Sequence, residues 1–165
     1  MPPRTLTADE VRQLYDRHGR ALLAYACSFV VDVAAGEDVL HQLFLQLLKG
    51  NTAVPGVPLA YLYRAVRNRA LNSRRDGQRA VALDGLSQVP LFEHRDGKKE
   101  EAIALHAALS ELPEEQREIV VLRIWSGMTL EETADLVGIP LNTAASRYRY
   151  ALEKLRERLK PLGEG

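Results

Sequence analysis

The chain has 165 residues, 46% hydrophobic and 27% charged, with 22 basic and 22 acidic side chains and a formal net charge of zero. This is an ordinary soluble composition, long enough for one domain or two small ones, and its neutrality excludes a protein that coats nucleic acid without specificity. A single cysteine, Cys27, excludes an intramolecular disulfide, and four scattered histidines (His18, His41, His94 and His106) give no metal-ligand spacing.

Met1 to Asp9 is polar, and no apolar run approaches the ~20 residues of a membrane span. A cytosolic, reduced setting is therefore expected, with no membrane insertion of this chain. Thr7 and Asp9 are candidate caps for a first helix from Ala8 to Val30. Val11, Leu14, Tyr15, Leu22, Tyr25, Ala26 and Phe29 supply its apolar stripe, and Cys27 reads as a small core residue. Asp32 to Gly36 is expected to break the chain before a second helix, Gly36 to Lys49. Val39, Leu40, Leu43, Phe44, Leu47 and Leu48 give that helix an apolar face wider than a lone surface helix needs. It is central to a small bundle or also meets a partner. Pro55, Gly56 and Pro58 make Gly50 to Pro58 a loop.

A third helix is expected from Leu59 to Arg75, with Leu59, Leu62, Tyr63, Val66 and Ala70 buried. Tyr61, Arg64, Asn68 and Arg75 fall on the opposite face, with Asn72 beside them. An exposed aromatic ring, amides and guanidinium groups on one face suit single-stranded or melted nucleic acid, where rings stack on unpaired bases and arginine binds phosphate. The alternative is that Tyr61 packs on a neighbouring helix and the arginines are solvated. Residues 58–80 hold six arginines and one acid, a local charge of +5. Residues 76–99 lack helical periodicity and contain Gly77, Gly85, Pro90 and Gly97, so they are expected to link two domains, 1–75 and 100–165. Val81, Leu83, Leu86, Val89, Leu91 and Phe92 make this stretch too apolar for a free tether.

Glu100 to Glu111 is expected to be a helix leading into the most informative stretch, Leu112 to Leu159. Pro113 suits a first helical turn. Ile119, Val120 and Ile124 recur on one face, with Arg117 and Arg123 elsewhere, and Gly127 ends that helix. Thr129-Leu130-Glu131-Glu132 is a capping box opening a short helix with Leu130, Ala134 and Val137 inward. Gly138-Ile139-Pro140 breaks it, and Asn142 can cap the last helix. At about 100° per residue, Ala144, Tyr148, Ala151 and Leu155 share its buried stripe. Asn142, Ser146, Arg149 and Glu153 face outward, flanked by Thr143, Ala145, Arg147 and Tyr150. Such a helix-turn-helix presents hydroxyl, amide and guanidinium groups to base edges and phosphates in a major groove. An amphipathic helix with a solvated charged face is the plainer alternative. Residues 140–160 carry +4 and residues 93–118 carry −4, so two basic patches flank an acidic stretch.

The segment LPEEQREIVVLRIWSGMTLEETADLVGIPLNTAASRYRYALEKLRERL resembles the promoter −35-binding domain of the sigma-70 family, in its small extracytoplasmic-function class. EDVLHQLFLQLLKG followed by AYLYRAVRNRALNSRR is similar to the family's other domain, which binds core RNA polymerase and the −10 element. The resemblance covers about residues 10–75 and 100–160. It implies an all-α fold of two small helical domains, the C-terminal one a helix-turn-helix, joined by a linker, and no cofactor. It implies contact with core RNA polymerase through Asp38, His41, Gln42 and Leu45, where His41-Gln42 replaces the usual Gln-acid pair and Leu48 stands where Trp is common. It implies −10 contacts from Tyr61, Arg64, Arg67, Asn68, Asn72, Arg74 and Arg75. It implies −35 contacts from Asn142, Thr143, Ser146, Arg147 and Arg149, with Ala145 replacing a frequent Lys or Arg. The expected function is promoter recognition for bacterial RNA polymerase, under an anti-sigma factor as is frequent in the class. The residues show no nucleophile–base pair and no phosphate-cradling glycine loop. Two other readings stay open: a stand-alone helix-turn-helix regulator with a dimerising or ligand-binding bundle, and a sigma-like adaptor that binds polymerase but starts little transcription.

Overall fold

The computed structural model describes residues 2–30, 32–76 and 99–163, with side chains described for 2–30, 32–74 and 100–160. The expected linker, 76–99, falls almost entirely outside the described residues, as does the Arg75 side chain. The chain divides into two compact units, Met1–Val89 and Pro90–Gly165.

In the first unit, Thr7 starts helix α1 (Ala8–Cys27). Its hydroxyl accepts from the Glu10 N–H at 3.2 Å, and the Glu10 carboxylate accepts from the Thr7 N–H at 2.8 Å and from Arg4 at 3.0 Å. The reciprocal bonds satisfy donors that a helix start leaves open. These bonds hold the Glu10 carboxyl at about 2, the Arg4 hydrogen bond lowering it most. The helix stops at Cys27, short of the expected Val30. Ser28 and Phe29 donate backbone bonds three residues back, and the Ser28 hydroxyl donates to the Tyr25 carbonyl at 2.6 Å, a tightening that uses up the terminal carbonyls.

Helix α2 (Val33–Leu48) begins earlier than expected. The Asp32 carboxylate accepts from the Ala34 N–H at 3.0 Å and caps it, and the alanines that follow are strong helix formers. Gly36 is therefore inside the helix, buried where α2 crosses α1. A Cβ there would lie 2.6 Å from Cys27 Sγ. The expected loop before the next helix holds a short strand, β2 (Ala53–Val54), antiparallel to β1 (Arg4–Thr5), with Arg4 opposite Val54 and Thr5 opposite Ala53. Helix α3 (Pro58–Asp76) packs on both α1 and α2. The core holds Leu22 and Tyr25 of α1, Leu43 and Leu47 of α2, and Leu62, Tyr63 and Val66 of α3. The Tyr25 ring meets Phe29 edge-on at 5.1 Å and Tyr63 at 5.5 Å.

The second unit contains α4 (Lys99–Glu111), α5 (Glu114–Val120), a π-helical turn (Val121–Trp125), α6 (Leu130–Val137) and α7 (Leu141–Gly163). Helix α7 packs on α4, α5 and α6. Ala108, Leu109, Leu112, Val120, Ala151 and Leu155 form a buried cluster, with Leu105, Trp125, Tyr148 and Leu159 packed against it. Arg117 reaches back from α5 to the end of α4, donating to the carbonyls of Leu109 (3.0 Å), Ser110 (3.3 Å) and Leu112 (2.9 Å). One guanidinium thus satisfies several terminal acceptors.

The sequence suggests a single helix up to Gly127. Instead the last turn widens, with the Ser126 N–H donating to the Val121 carbonyl at 3.1 Å, five residues back. The wider turn breaks the expected periodicity. Ile119, Val120, Val121 and Leu122 are all buried, and Ile124, expected inward, is 51% exposed. Gly127 then adopts φ 68° and Thr129 closes its capping box with Glu132, at 3.0 and 2.9 Å. Gly138, at φ 81°, ends α6 with its N–H on the Ala134 carbonyl at 2.8 Å. A left-handed helix end of this kind favours glycine. Helix α7 starts at Leu141, with the Ala144 N–H on the Pro140 carbonyl at 3.0 Å. Asn142 therefore lies in the first turn and does not cap it: Pro140 has taken the preceding position.

Candidate polymerase and nucleic-acid interfaces

The residues expected to make contacts lie on three helices, α2, α3 and α7. On α2, burial of Val39, Leu40, Leu43, Phe44 and Leu47 turns the other side outward. Asp38, His41, Gln42 and Leu45 are all exposed there. Leu45 is 59% exposed and Leu48 50%. Leu48, counted from the sequence with the buried face, belongs to this outer one. An outward pair of leucines beside a carboxylate and an amide can bury apolar area against another protein and fix its orientation by hydrogen bonds.

On α3, Leu62, Tyr63, Val66 and Ala70 are buried as expected, and Leu59 is half-buried. Arg64, Asn68 and Asn72 are exposed, and Tyr61 is half-buried beside them. The remaining arginines act differently. The Arg67 guanidinium lies 5.9 Å from the centre of the Phe29 ring, and Arg74 donates to the Phe29 carbonyl at 3.5 Å. On the other edge of the buried stripe, Arg69 donates to the Gln46 side-chain oxygen on α2. The expected patch of arginines is thus divided: Arg64 points away with the amides, and Arg67, Arg69 and Arg74 brace α3 against its neighbours.

On α7, Ala144, Ala151 and Leu155 are buried and fix the orientation of the helix. Asn142 and Arg149 are exposed, while Thr143, Ser146 and Arg147 are half-buried. The Arg149 guanidinium lies 5.1 Å from the centre of the Tyr150 ring. Arg123 supports the motif from the π turn: it donates to the Met128 carbonyl at 2.5 Å and lies 5.2 Å from the centre of the Tyr148 ring. Sequence periodicity marks neither Arg123 nor Arg69. The signal available was their lack of nearby acids, which leaves carbonyl, amide and aromatic partners.

Among the described residues, no helix is long and apolar enough to cross a membrane. An exposed amide-and-arginine face on a helical bundle, and a helix-turn-helix in the second unit, are features suited to contacts with DNA. Residues 14–80 match the family described as Sigma-70 region 2, and residues 108–157 match Sigma-70, region 4. The chain is 31% identical over 147 residues to an RNA polymerase sigma-E factor of Streptomyces antibioticus, covering 85% of this chain and 79% of that protein. It is 28% identical over 162 residues to the ECF RNA polymerase sigma factor SigL of Mycobacterium tuberculosis, covering 93% and 90%. The fold matches the sigma factor RpoE, solved with the anti-sigma factor NepR from Bartonella quintana, at a TM-score of 0.72, 22% identity and 93% and 98% coverage. It also matches CnrH, solved with the cytosolic domain of CnrY, at a TM-score of 0.59, 25% identity and 93% and 89% coverage.

The chain belongs to the sigma-70 family of RNA polymerase sigma factors, in its extracytoplasmic-function class. It confers promoter recognition on bacterial RNA polymerase, with core polymerase and promoter DNA as partners, and is not an enzyme. A stand-alone regulator is not favoured, since region 2 is matched as well as the helix-turn-helix.

Proposed function

We propose that the three outer faces divide the work of initiation. The α2 face, Asp38, His41, Gln42 and Leu45, docks on core polymerase. Tyr61, Arg64, Asn68 and Asn72 of α3 capture −10 bases as the duplex opens, by stacking, amide hydrogen bonds and phosphate pairing. Arg67 and Arg74 support that face through Phe29, and Arg75 adds charge at its end. Asn142, Thr143, Ser146, Arg147 and Arg149 read and grip the −35 duplex in the major groove. Residues 1–75 and 100–165 act as separate modules joined through 76–99, and binding to one polymerase raises their effective concentration on DNA. The protein works in the cytoplasm, where polymerase and promoters are. Control by an anti-sigma factor is supported by the relative solved in complex with one.

The observation that carries this assignment is the exposure of Leu45 and Leu48 beside Asp38 on a helix whose other side is the core. Co-elution of the purified chain with bacterial core polymerase tests it. Tight one-to-one binding that Asp38→Arg weakens is expected. Wild-type failure to bind core, with duplex DNA still bound by the chain alone, would overturn it.

A further inference from the structure

The buried stripe of α3 begins at Leu62. Leu62, Tyr63, Val66 and Ala70 are at most 1% exposed and fix the rotation of the helix from that point on. The first turn lies ahead of the stripe: Pro58, Leu59, Ala60 and Tyr61 are half-buried, and Val57 is 63% exposed. A cleft of about 260 Å³ runs along this turn, lined by Gln13, Leu14 and Arg17 of α1 and by Val57, Pro58 and Leu59. Open space there leaves the start of α3 without close packing against α1, and the end of a helix frays more readily than its interior.

A clip made by residues 4–10 borders the same cleft. Strand β1 pairs with β2, Arg4 opposite Val54 and Thr5 opposite Ala53, and Leu6 and Val54 are buried beneath the pair. Arg4 is tied to Glu10 at 3.0 Å, and Glu10 belongs to the capping box that starts α1. Strand β2 sits between two left-handed glycines, Gly50 (φ 77°) and Gly56 (φ 64°), so sharp turns separate it from the helices on either side. The turn at Gly56 leads directly into α3, whose Tyr61 N–H donates to the Val57 carbonyl at 3.2 Å. The first turn of α3 thus follows β2, and β2 is held by β1.

We infer that this clip positions Tyr61 to stack on an unpaired −10 base, with Arg4 and Glu10 as positioning residues that touch no DNA. The inference rests on the assignment of Tyr61 to the −10 face made above. A ring that is ordered before the base arrives binds it better, because ordering a side chain on binding costs entropy. The buried stripe supplies that order to Arg64, Asn68 and Asn72, which lie beyond Leu62. Tyr61 lies before it and takes its order from the clip.

The test uses the full chain, alone and with core polymerase, and a single-stranded oligonucleotide selected from a random pool on the wild-type holoenzyme. Arg4→Met removes the tie to Glu10. Glu10→Gln keeps an acceptor for the capping box and removes the charge that holds Arg4. Arg4→Lys keeps the ion pair. In the free chain, backbone hydrogen exchange over residues 53–61 is expected to speed up in Arg4→Met, with residues 62–74 unchanged. In holoenzyme, Arg4→Met and Glu10→Gln are each expected to weaken capture about twofold to fourfold, the scale of an exposed ion pair, with core affinity constant and Arg4→Lys close to wild type. Tyr61→Leu is expected to weaken capture about tenfold, the loss of one stack, and Arg4→Met to add nothing in that background.

Unchanged exchange over 53–61 in Arg4→Met would overturn the clip. So would opposite effects of Arg4→Met and Glu10→Gln on capture, because the two shift net charge in opposite senses and a shared loss is what the clip requires. A loss that persists in the Tyr61→Leu background would make Arg4 a DNA contact in its own right. Equal opening of 53–61 and 62–74, with capture unchanged per folded molecule, would make the clip merely structural and overturn it too. Tyr61→Leu that captures as wild type does would remove Tyr61 from the −10 face and take the inference with it. That result is distinct from a failed clip, because exchange over 53–61 would still respond to Arg4→Met.

Discussion

Arg123 lies over the ring of Tyr148, 5.2 Å from its centre, and donates to the Met128 carbonyl at 2.5 Å. The π turn that precedes α6 thereby holds both the inter-helix turn and the helix proposed to read DNA. A guanidinium over a partly desolvated ring contributes about 0.5–2 kcal/mol, and a charged hydrogen bond about 1.5–3 kcal/mol. Arg123→Met is expected to destabilise the second unit by about 2 kcal/mol, measured by urea titration of the fluorescence of Trp125, the only tryptophan. Tyr148→Phe keeps the ring and should cost less than half as much. An Arg123→Met variant with wild-type stability would show that these contacts contribute nothing.

Arg117 makes a second such test. It caps the end of α4 through three carbonyls, and Arg117→Met strands acceptors that are partly buried. A loss of about 2 kcal/mol is expected on the same Trp125 titration.

The histidine beside it sets a pH dependence. Burial lowers the His106 pKa, and the charge of Arg117 lowers it further. The unfolded chain then binds a proton at a pH where the folded chain does not. Stability of the second unit is therefore expected to fall as pH drops through about 6.5, the ordinary histidine value, and to level off below the folded pKa. His106→Gln should flatten this part of the curve. A slope that survives the substitution would assign it to another group.

Much of this architecture is legible in the chain itself. Thr129 and Glu132 form the capping box that their spacing indicates, Gly138 ends α6 in the left-handed conformation, and the Ala144, Ala151 and Leu155 stripe is buried. These are local signals, made by residues within a few positions of one another. The π turn is equally local but carries no such residue signal. Val121 to Trp125 has ordinary helical residues, and the wider turn is visible only through the bonds from Ser126 and Met128, so periodicity places Ile124 inward while the structure turns it out. The arginines of α3 show the same limit. Periodicity gives the direction of Arg67, Arg69 and Arg74 along the helix, but Phe29 and Gln46 come from other helices and decide what those side chains do.

Gly36, expected at the start of the second helix, lies inside α2, and its position gives the opposite prediction to the usual one. Replacing an interior helical glycine by alanine normally gains about 1 kcal/mol. Here the added Cβ would meet Cys27 Sγ at 2.6 Å, and overpacking of that kind costs about 1–3 kcal/mol. Gly36→Ala is expected to be net destabilising, and Cys27→Ala in the same chain to recover most of the loss, both read by urea titration of circular dichroism. The thiol offers an independent readout. Burial, then the charges of Glu37 and Asp32, push its pKa up to about 12, and the thiolate is the reactive form. Alkylation of Cys27 at pH 8 should be slow in the native chain and faster in Gly36→Ala. Rapid native alkylation would show that α1 and α2 are not closely packed at this crossing.

The half-buried Ala145 occupies a flank of α7, next to the positions proposed to contact DNA. A basic residue is frequent at this point of the sigma-70 helix that α7 resembles, and its absence should remove a phosphate contact. Phosphate contacts raise affinity for every sequence alike, while base-edge contacts discriminate. Ala145→Lys is therefore expected to strengthen holoenzyme binding to a −35-containing duplex, and to steepen the dependence of log affinity on log salt by about 0.9, the release of one counterion. The ratio of affinities for matched and mismatched −35 sequences should stay constant. Ser146→Ala is the converse case: loss of a hydroxyl proposed to meet a base edge should leave the salt slope alone and narrow the ratio between matched and mismatched duplexes. If Ala145→Lys changes the ratio instead of the slope, the flank reaches base edges, and α7 enters the groove rotated from the direction that its buried stripe implies.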